Sequence, residues 1–172
     1  ANHDRPMRAA VIRFVARSRA IVAFRAAAQG AEATNGVVKE LARAAAHDSG
    51  WIELIDGIQS RLVGLMGQLA YLPEDEARYR EKNYAALTQA DLDWVVAEAH
   101  RLEALGIRFT GWARPGAEGS LARAGLDFSR AVARRAERGV LALHDSGEPV
   151  PEVVRLFFNR LSDLLWILAR VA

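Results

Sequence analysis

The chain has 172 residues, 51% hydrophobic and 26% charged, which fits one globular domain with a full core. It contains no cysteine, which excludes a disulfide framework, a thiolate metal site and a thiol nucleophile, and an unstapled chain of this kind fits a reducing, cytoplasmic setting. The formal charge is only +2, yet every basic residue except Lys39 and Lys82 is arginine, the planar donor that suits carboxylates and phosphates. A GC-rich genome would produce the same bias along with the abundant alanine, so the placement of the arginines decides what they mean. No apolar run approaches the roughly 18 residues of a membrane span, and arginines interrupt every apolar stretch near the N-terminus, unlike a signal peptide.

Helical periodicity runs through nearly the whole chain. A first helix is expected from Pro6 to Gln29, with Gly30 as its stop. A second is expected over Val37 to Ala46, and a third over Trp51 to Tyr71, closed by Pro73. Residues Glu74 to Ala86 read as a charged loop. Thr88 with Asp91 forms a capping-box pattern that opens a helix ending before Gly106. Ile107 to Gly119 reads as a Gly/Pro-containing connection. A long helix follows over Ser120 to Leu143, and the last runs from Pro151 to the C-terminus. No period-2 strand pattern or hairpin signal stands out. The fold class expected is all-α, a bundle with antiparallel neighbours.

The string His-Asp-Ser-Gly occurs twice, at His47–Gly50 and His144–Gly147. Sequence-adjacent Ser, Asp and His rarely make a hydrolytic triad, and both copies read as helix stops. His3, His47, His100 and His144 show no i, i+4 pair, so a protein-built zinc or iron site is not expected. Gly116 and Gly119 are too sparse for a dinucleotide loop, and no Walker-type phosphate loop exists.

Two helices carry a functional signal. On a helical wheel Arg130, Arg134, Glu137 and Arg138 share an arc of roughly 100°. In the last helix Asn159, Asp163, Trp166 and Arg170 fall within about 60° of one another, opposite Phe157, Leu161, Leu164, Leu165 and Leu168. Both arcs could be ordinary solvated faces. An Asn and Asp facing a packed bundle would need partners, and the arginine arc is the obvious candidate.

At these residues the chain resembles the PduO-type ATP:corrinoid adenosyltransferases. Arg130-Ala131-Val132-Ala133-Arg134-Arg135-Ala136-Glu137-Arg138 resembles the family signature Arg-Thr-x-x-Arg-Arg-Ala-Glu-Arg. Asn159-Arg160-Leu161-Ser162-Asp163-Leu164-Leu165-Trp166 is similar to its C-terminal signature. Phe109 to Gly116 is similar to the family's aromatic-to-Pro-Gly loop, and Ile58-Gln59 through Leu69-Ala70 to its Ile-Gln helix. The resemblance covers Ala31 to the C-terminus. It implies a five- to six-helix bundle, ferritin-like in architecture, assembled as a homotrimer with ATP at the subunit interface. It also implies transfer of the 5′-deoxyadenosyl group of ATP, with Mg2+, to the cobalt of cob(I)alamin. On this resemblance Arg130, Arg134 and Arg138 face the nucleotide and its phosphates, with Arg134, Arg138 and Asp163 as the catalytic group. Glu137 orients an arginine or the ribose, Asn159 hydrogen-bonds the nucleoside, and Asp163 fixes an arginine. Phe109 or Trp112 forms the apolar wall beneath the corrin ring, with core packing as the competing role for either aromatic.

The sequence also departs from the family. No Thr-Gly-Asp-x-Gly-x-Thr triphosphate loop occurs; in its place Ala1 to Gly30 is a basic amphipathic segment, set apart from the bundle of residues 31–172. It carries Arg5, Arg8, Arg13, Arg17, Arg19 and Arg25, with an apolar stripe of Val11, Phe14, Val15, Ile21, Val22 and Phe24. That segment can dock on the bundle or meet an acidic surface; a nucleic-acid function is not expected, because no such motif is present. The family's Val-Asp-Glu-Leu-Asn aligns with Val38-Lys39-Glu40-Leu41-Ala42. The aspartate that pairs with a signature arginine becomes Lys39, which would repel it. Three functions stay open at this point: an active adenosyltransferase, an impaired paralogue that carries or senses a corrinoid or nucleotide, or a helical interaction scaffold.

Overall fold

The computed structural model describes residues 4–44, 49–68, 75–107, 112–117 and 119–171; before Ala27 in the first helix, side chains are described only at Val15, Arg19, Val22, Ala23 and Ala26. Among these residues the chain is all-helical: α1 (Asp4–Ala44), α2 (Ser49–Gln68), α3 (Glu76–Glu81), α4 (Gln89–Glu103), α5 (Leu121–Asp145) and α6 (Glu152–Leu168). An isolated antiparallel backbone bridge joins Ile107 to Val171. No described helix is long and apolar enough to cross a membrane.

α1 departs from the expected pattern. Two helices with a stop at Gly30 were expected, but one helix of 41 residues passes straight through that glycine. Gly30 lies where α1 approaches α5: a Cβ there would stand 3.3 Å from Val132 Cγ1. The missing side chain serves helix contact rather than helix termination. Ala27, Ala28, Ala31, Asn35, Val38 and Ala42 are buried along one face, at the three- and four-residue steps of a packed helix. Mostly small, they let the two backbones come close. Of the expected N-terminal apolar stripe, Val15 and Val22 are exposed; Val11, Phe14, Ile21 and Phe24 lie outside the described side chains.

The charged segment expected as a loop contains the short helix α3. Its turn is braced by Arg80 Nη2 and Glu76 Oε1 at 2.6 Å, an i, i+4 pair. The Thr88–Asp91 cap forms as the pattern predicts. The Thr88 backbone N–H donates to Asp91 Oδ2 at 2.9 Å, and the Thr88 hydroxyl donates to the same oxygen at 2.8 Å. The two His-Asp-Ser-Gly strings behave differently. The second ends α5, with Gly147 at φ +90° and its N–H donating to His144 O at 2.9 Å. In the first, Ser49 and Gly50 open α2 instead of ending a helix, while His47 and Asp48 lie outside the described residues. Ser is favoured at helix starts as Gly is at helix ends, so the string supports either role.

Around the core, α1 packs between α2 and α5, and α6 packs between α5 and α4. Contacts between α2 and α4 complete the bundle. Trp94 lies against Gly57, where a Cβ would be 2.8 Å from its ring. Arg61 stacks over the same ring at 3.7 Å and places Nε 3.1 Å from Asp91 Oδ1. Ile55, Ile58 and Leu62 of α2, Leu126 of α5, and Phe157, Phe158, Leu161 and Leu165 of α6 fill the centre. The two phenylalanines meet edge to face at 6.1 Å.

The α1–α5 contact gives a test. A Cβ on Gly125 would lie 2.9 Å from Val38 Cγ2 and 3.5 Å from Leu41 Cδ1. Alanine normally gains about 1 kcal/mol over glycine within a helix, but overpacking a tight core costs typically about 1–3 kcal/mol. Gly125→Ala is expected to lower stability despite its better propensity, read as a lower urea midpoint. An unchanged or raised midpoint would show that α1 can move away freely.

Candidate functional site

The arginine arc stands on the outer side of α5. This helix is amphipathic throughout, with Ala122, Leu126, Ser129, Val132, Ala133, Ala136, Val140 and Leu143 buried in one stripe. Arg130, Arg135 and Arg138 are exposed and Arg134 is half-buried. Glu137 sits at the edge of the buried stripe and is 7% exposed. Its Oε2 is paired with Arg134 Nη1, one turn earlier. Its Oε1 accepts a hydrogen bond from Asn159 Nδ2 of α6 at 3.2 Å. The buried carboxylate is thereby ion-paired within α5 on one oxygen and hydrogen-bonded from α6 on the other, which holds the Arg134 guanidinium beside it. Among the described residues Arg130 and Arg138 have no carboxylate partner. Chemically, this surface offers several cations to a polyanion, one of them pre-oriented.

The polar arc of α6 divides three ways. Asn159 meets α5 through Glu137. Asp163 was expected to hold an arginine of α5, and the structure corrects this: it is half exposed and pairs with Arg160 of its own helix at 3.2 Å. The antiparallel register places Ala133 and Arg134 opposite Asp163, but Glu137 already engages Arg134. Arg170, at the end of α6, is buried and donates from Nη2 to Asp127 Oδ1 at 2.7 Å; the two side chains are 4% and 8% exposed. Its guanidinium also lies 5.5 Å from the Trp166 ring centre.

Trp112 is 88% exposed, so core packing is not its role. Phe109 lies outside the described residues. Trp112 precedes a tight turn, Arg114-Pro115-Gly116-Ala117, closed by the Ala117 N–H on Arg114 O at 3.1 Å. Gly116 has φ +77°, the conformation a type II turn demands after proline.

Lys39 also differs from expectation. It does not lie free to repel a signature arginine of its own chain. Its ammonium donates to Asp56 Oδ1 at 2.6 Å and to Gln59 Oε1 at 3.0 Å, both on α2. Gln59 in turn donates to Glu32 Oε1 at 3.1 Å. The lysine belongs to a polar seam between α1 and α2.

Sequence reasoning missed Asp127 as the partner of Arg170, and missed the Arg61–Asp91–Trp94 cluster. Asp127 was within reach. Once Glu137 is set against Asn159 in an antiparallel pair, an acid ten residues earlier on α5 falls opposite a base eleven residues later, just past α6. The Arg61 cluster joins α2 to α4, elements not adjacent in sequence, and no local spacing announces it. No group of three or more His, Cys, Asp or Glu side chains suited to a metal occurs among the described residues.

A sequence profile of the cobalamin adenosyltransferase family matches residues 10–172. Corrinoid adenosyltransferase MMAB of Bos taurus is 34% identical over 124 residues, covering 70% of this chain and 48% of that protein. The corrinoid adenosyltransferase of Bacillus subtilis is 33% identical over 114 residues, covering 66% of this chain and 54% of that protein. The chain therefore spans about half the length of these relatives. Among solved structures, a variant of the PduO-type ATP:corrinoid adenosyltransferase from Lactobacillus reuteri, complexed with cobalamin and ATP, superposes with a TM-score of 0.71. It is 23% identical, with 88% of this chain and 79% of that chain covered. The likeness in helix arrangement agrees with a profile match over nearly the full sequence, and the chain belongs to the cobalamin adenosyltransferase family.

Proposed function

We propose that this chain transfers the 5′-deoxyadenosyl group of ATP to the cobalt of a reduced corrinoid. The observation that carries this reading is the α5 arc, in which Arg130 and Arg138 stand free beside an Arg134 held by Glu137 and Asn159. In the reaction the cob(I) lone pair forms a bond to C5′ as the C5′–oxygen bond breaks, and triphosphate leaves with the electron pair. No covalent nucleophile is required of the protein. Its tasks are to align the two substrates and to stabilise charge gathering on the leaving triphosphate. Arg134 and Arg138 serve the second task, and Arg130 helps hold the nucleotide. Glu137 keeps Arg134 aimed, and Asn159 adds a polar contact to the nucleoside. Asp163 acts through Arg160, its partner. Mg2+ comes with ATP, held by phosphate oxygens and water rather than by a protein cage. Trp112, exposed and aromatic, fits an apolar wall under the corrin ring, with Phe109 as its neighbour in that role. A reducing, cytoplasmic setting suits both cob(I) and a cysteine-free chain.

We further infer a homotrimer with the nucleotide between subunits. Leu121 and Phe128 form an exposed apolar stripe on α5, on the side toward α1, where Val37 is also exposed. That stripe flanks the arginine arc. Covering it with another subunit would enclose the arginines, raising their effect on a phosphate by excluding water.

Two measurements test this. Anaerobic mixing of the protein with ATP, Mg2+ and chemically reduced cob(I)alamin is expected to give ATP-dependent loss of the cob(I) absorption and appearance of adenosylcobalamin. Arg134→Ala or Arg138→Ala is expected to lower kcat about 100-fold or more, the usual scale for removing a charge-stabilising donor, with helix content unchanged. Wild-type rates in both variants would remove the arginines from the site; corrinoid binding without any product would mark the chain as a carrier. For the assembly, Phe128→Glu is expected to yield monomers by light scattering and to lose activity with them. A Phe128→Glu protein of unchanged mass and rate would place the interface elsewhere.

A further inference from the structure

The last residues of the chain fasten both ends of the connection between α4 and α5. Val171 bridges Ile107, just past α4. The Val171 carbonyl accepts from Arg123 Nη2, in the first turn of α5, at 2.9 Å. One residue earlier, Arg170 holds Asp127 at 2.7 Å and donates from Nη1 to Ala169 O at 3.3 Å. Above this pair sits the turn that follows Trp112. Arg114, Gly116 and Ala117, together with Ser120, Arg123, Asp127 and Arg170, line a small, half-open gap of about 10 Å3. That is barely the room one water needs, so the exposed turn lies close over the ion pair with space for at most a water between them.

Trp112 cannot place itself. At 88% exposure it has little packing of its own, and its position is inherited from the turn two residues on. A buried ion pair adds little net stability over apolar residues of equal volume, whereas its directional hydrogen bonds hold one arrangement. We propose that Asp127 and Arg170 are positioning residues, a clasp that seats the Trp112–Ala117 turn and thereby holds Trp112 where the corrinoid binds. The proposal rests on the corrinoid role of Trp112 given above. It assigns a use to a buried charge pair that lies seven residues from Arg134 and takes no part in the phosphate arc.

The test compares Asp127→Asn, Arg170→Lys and the double variant Asp127→Leu/Arg170→Met with the wild-type chain. The double variant replaces the pair with apolar volume and so keeps the bundle folded even if a lone buried charge does not. Two readouts are used: amide hydrogen exchange across residues 112–117, and the KM values for cob(I)alamin and for ATP. Asp127→Asn and the double variant are expected to speed exchange selectively in 112–117 and to raise the corrinoid KM about tenfold. The ATP KM should stay within about twofold, the pattern of a lost ground-state contact to one substrate only. Arg170→Lys, which keeps a charge within reach of Asp127, should fall between. Equal rises in both KM values, or faster exchange spread through α5 and α6 with none confined to 112–117, would make the pair a bundle staple and overturn the proposal. A wild-type chain that binds no corrinoid would instead defeat the proposed activity. The exchange map would then decide the clasp alone, and unchanged exchange at 112–117 in the double variant would overturn it.

Discussion

The approach of α1 to α5 governs much of what this molecule can present to a ligand. Ala27, Ala28, Ala31 and Ala42 on α1 and Ala133 and Ala136 on α5 are buried, and Gly30 and Gly125 stand where a single added carbon would meet Val132 or Val38. Small residues on both partners bring the helix axes close. α1 then covers one flank of α5 and α6 the other. What is left outward carries the signature arginines beside the exposed Leu121 and Phe128. A looser contact with large side chains would let α5 rotate about its axis, and a rotation of one residue, about 100°, would carry the arginines into the core.

A second constraint is electrostatic. Three guanidiniums on one arc repel one another, and nothing about helix packing prevents their side chains from spreading into solvent. Glu137 opposes this from the edge of the core. Buried alone it would be costly; with Arg134 on one oxygen and Asn159 on the other, it becomes an anchor. Only one arginine is held this way. Among the described residues Arg130 and Arg138 have no carboxylate partner, so the arc combines one held guanidinium with two that are not held. Lys39 shows the opposite arrangement. Its charge is taken up by Asp56 and Gln59 in a seam between helices, where it contributes to α1–α2 contact and leaves little for a ligand.

The amphipathic patterns of α4, α5 and α6 were legible because their apolar residues recur at helical spacing and their ends carry recognisable caps, as at Thr88 and Gly147. The signature residues on α5 and α6 were legible for the same reason: each motif lies on one element. The break at Gly30 was misread because a glycine stops a helix or admits a neighbour, and only the neighbour, Val132, distinguishes the two. α3 was missed because six residues, four of them charged, resemble a loop until the Glu76–Arg80 pair is counted. Asp163 was given to α5 because the wheel assigns a face but no partner, and Arg160 on its own helix was nearer. Asp127 and the Arg61 cluster depend on contacts between elements distant in sequence, which periodicity does not encode.

In the proposed reaction α5 serves both substrates. Its middle, around Arg134, would meet the triphosphate; its first turns, through Asp127, would seat the turn that carries Trp112. Seven residues of helix separate the two positions, about 10 Å along the axis. In a bimolecular transfer the distance between nucleophile and carbon matters more than the affinity for either reactant, because each fraction of an ångström off the attack geometry is lost rate. A continuous helix buried along one face on both α1 and α6 is among the stiffest spacers a small protein can build. That stiffness explains why both functional positions would lie on one helix: two loops, each well ordered, could still drift relative to one another, whereas two turns of the same buried helix cannot.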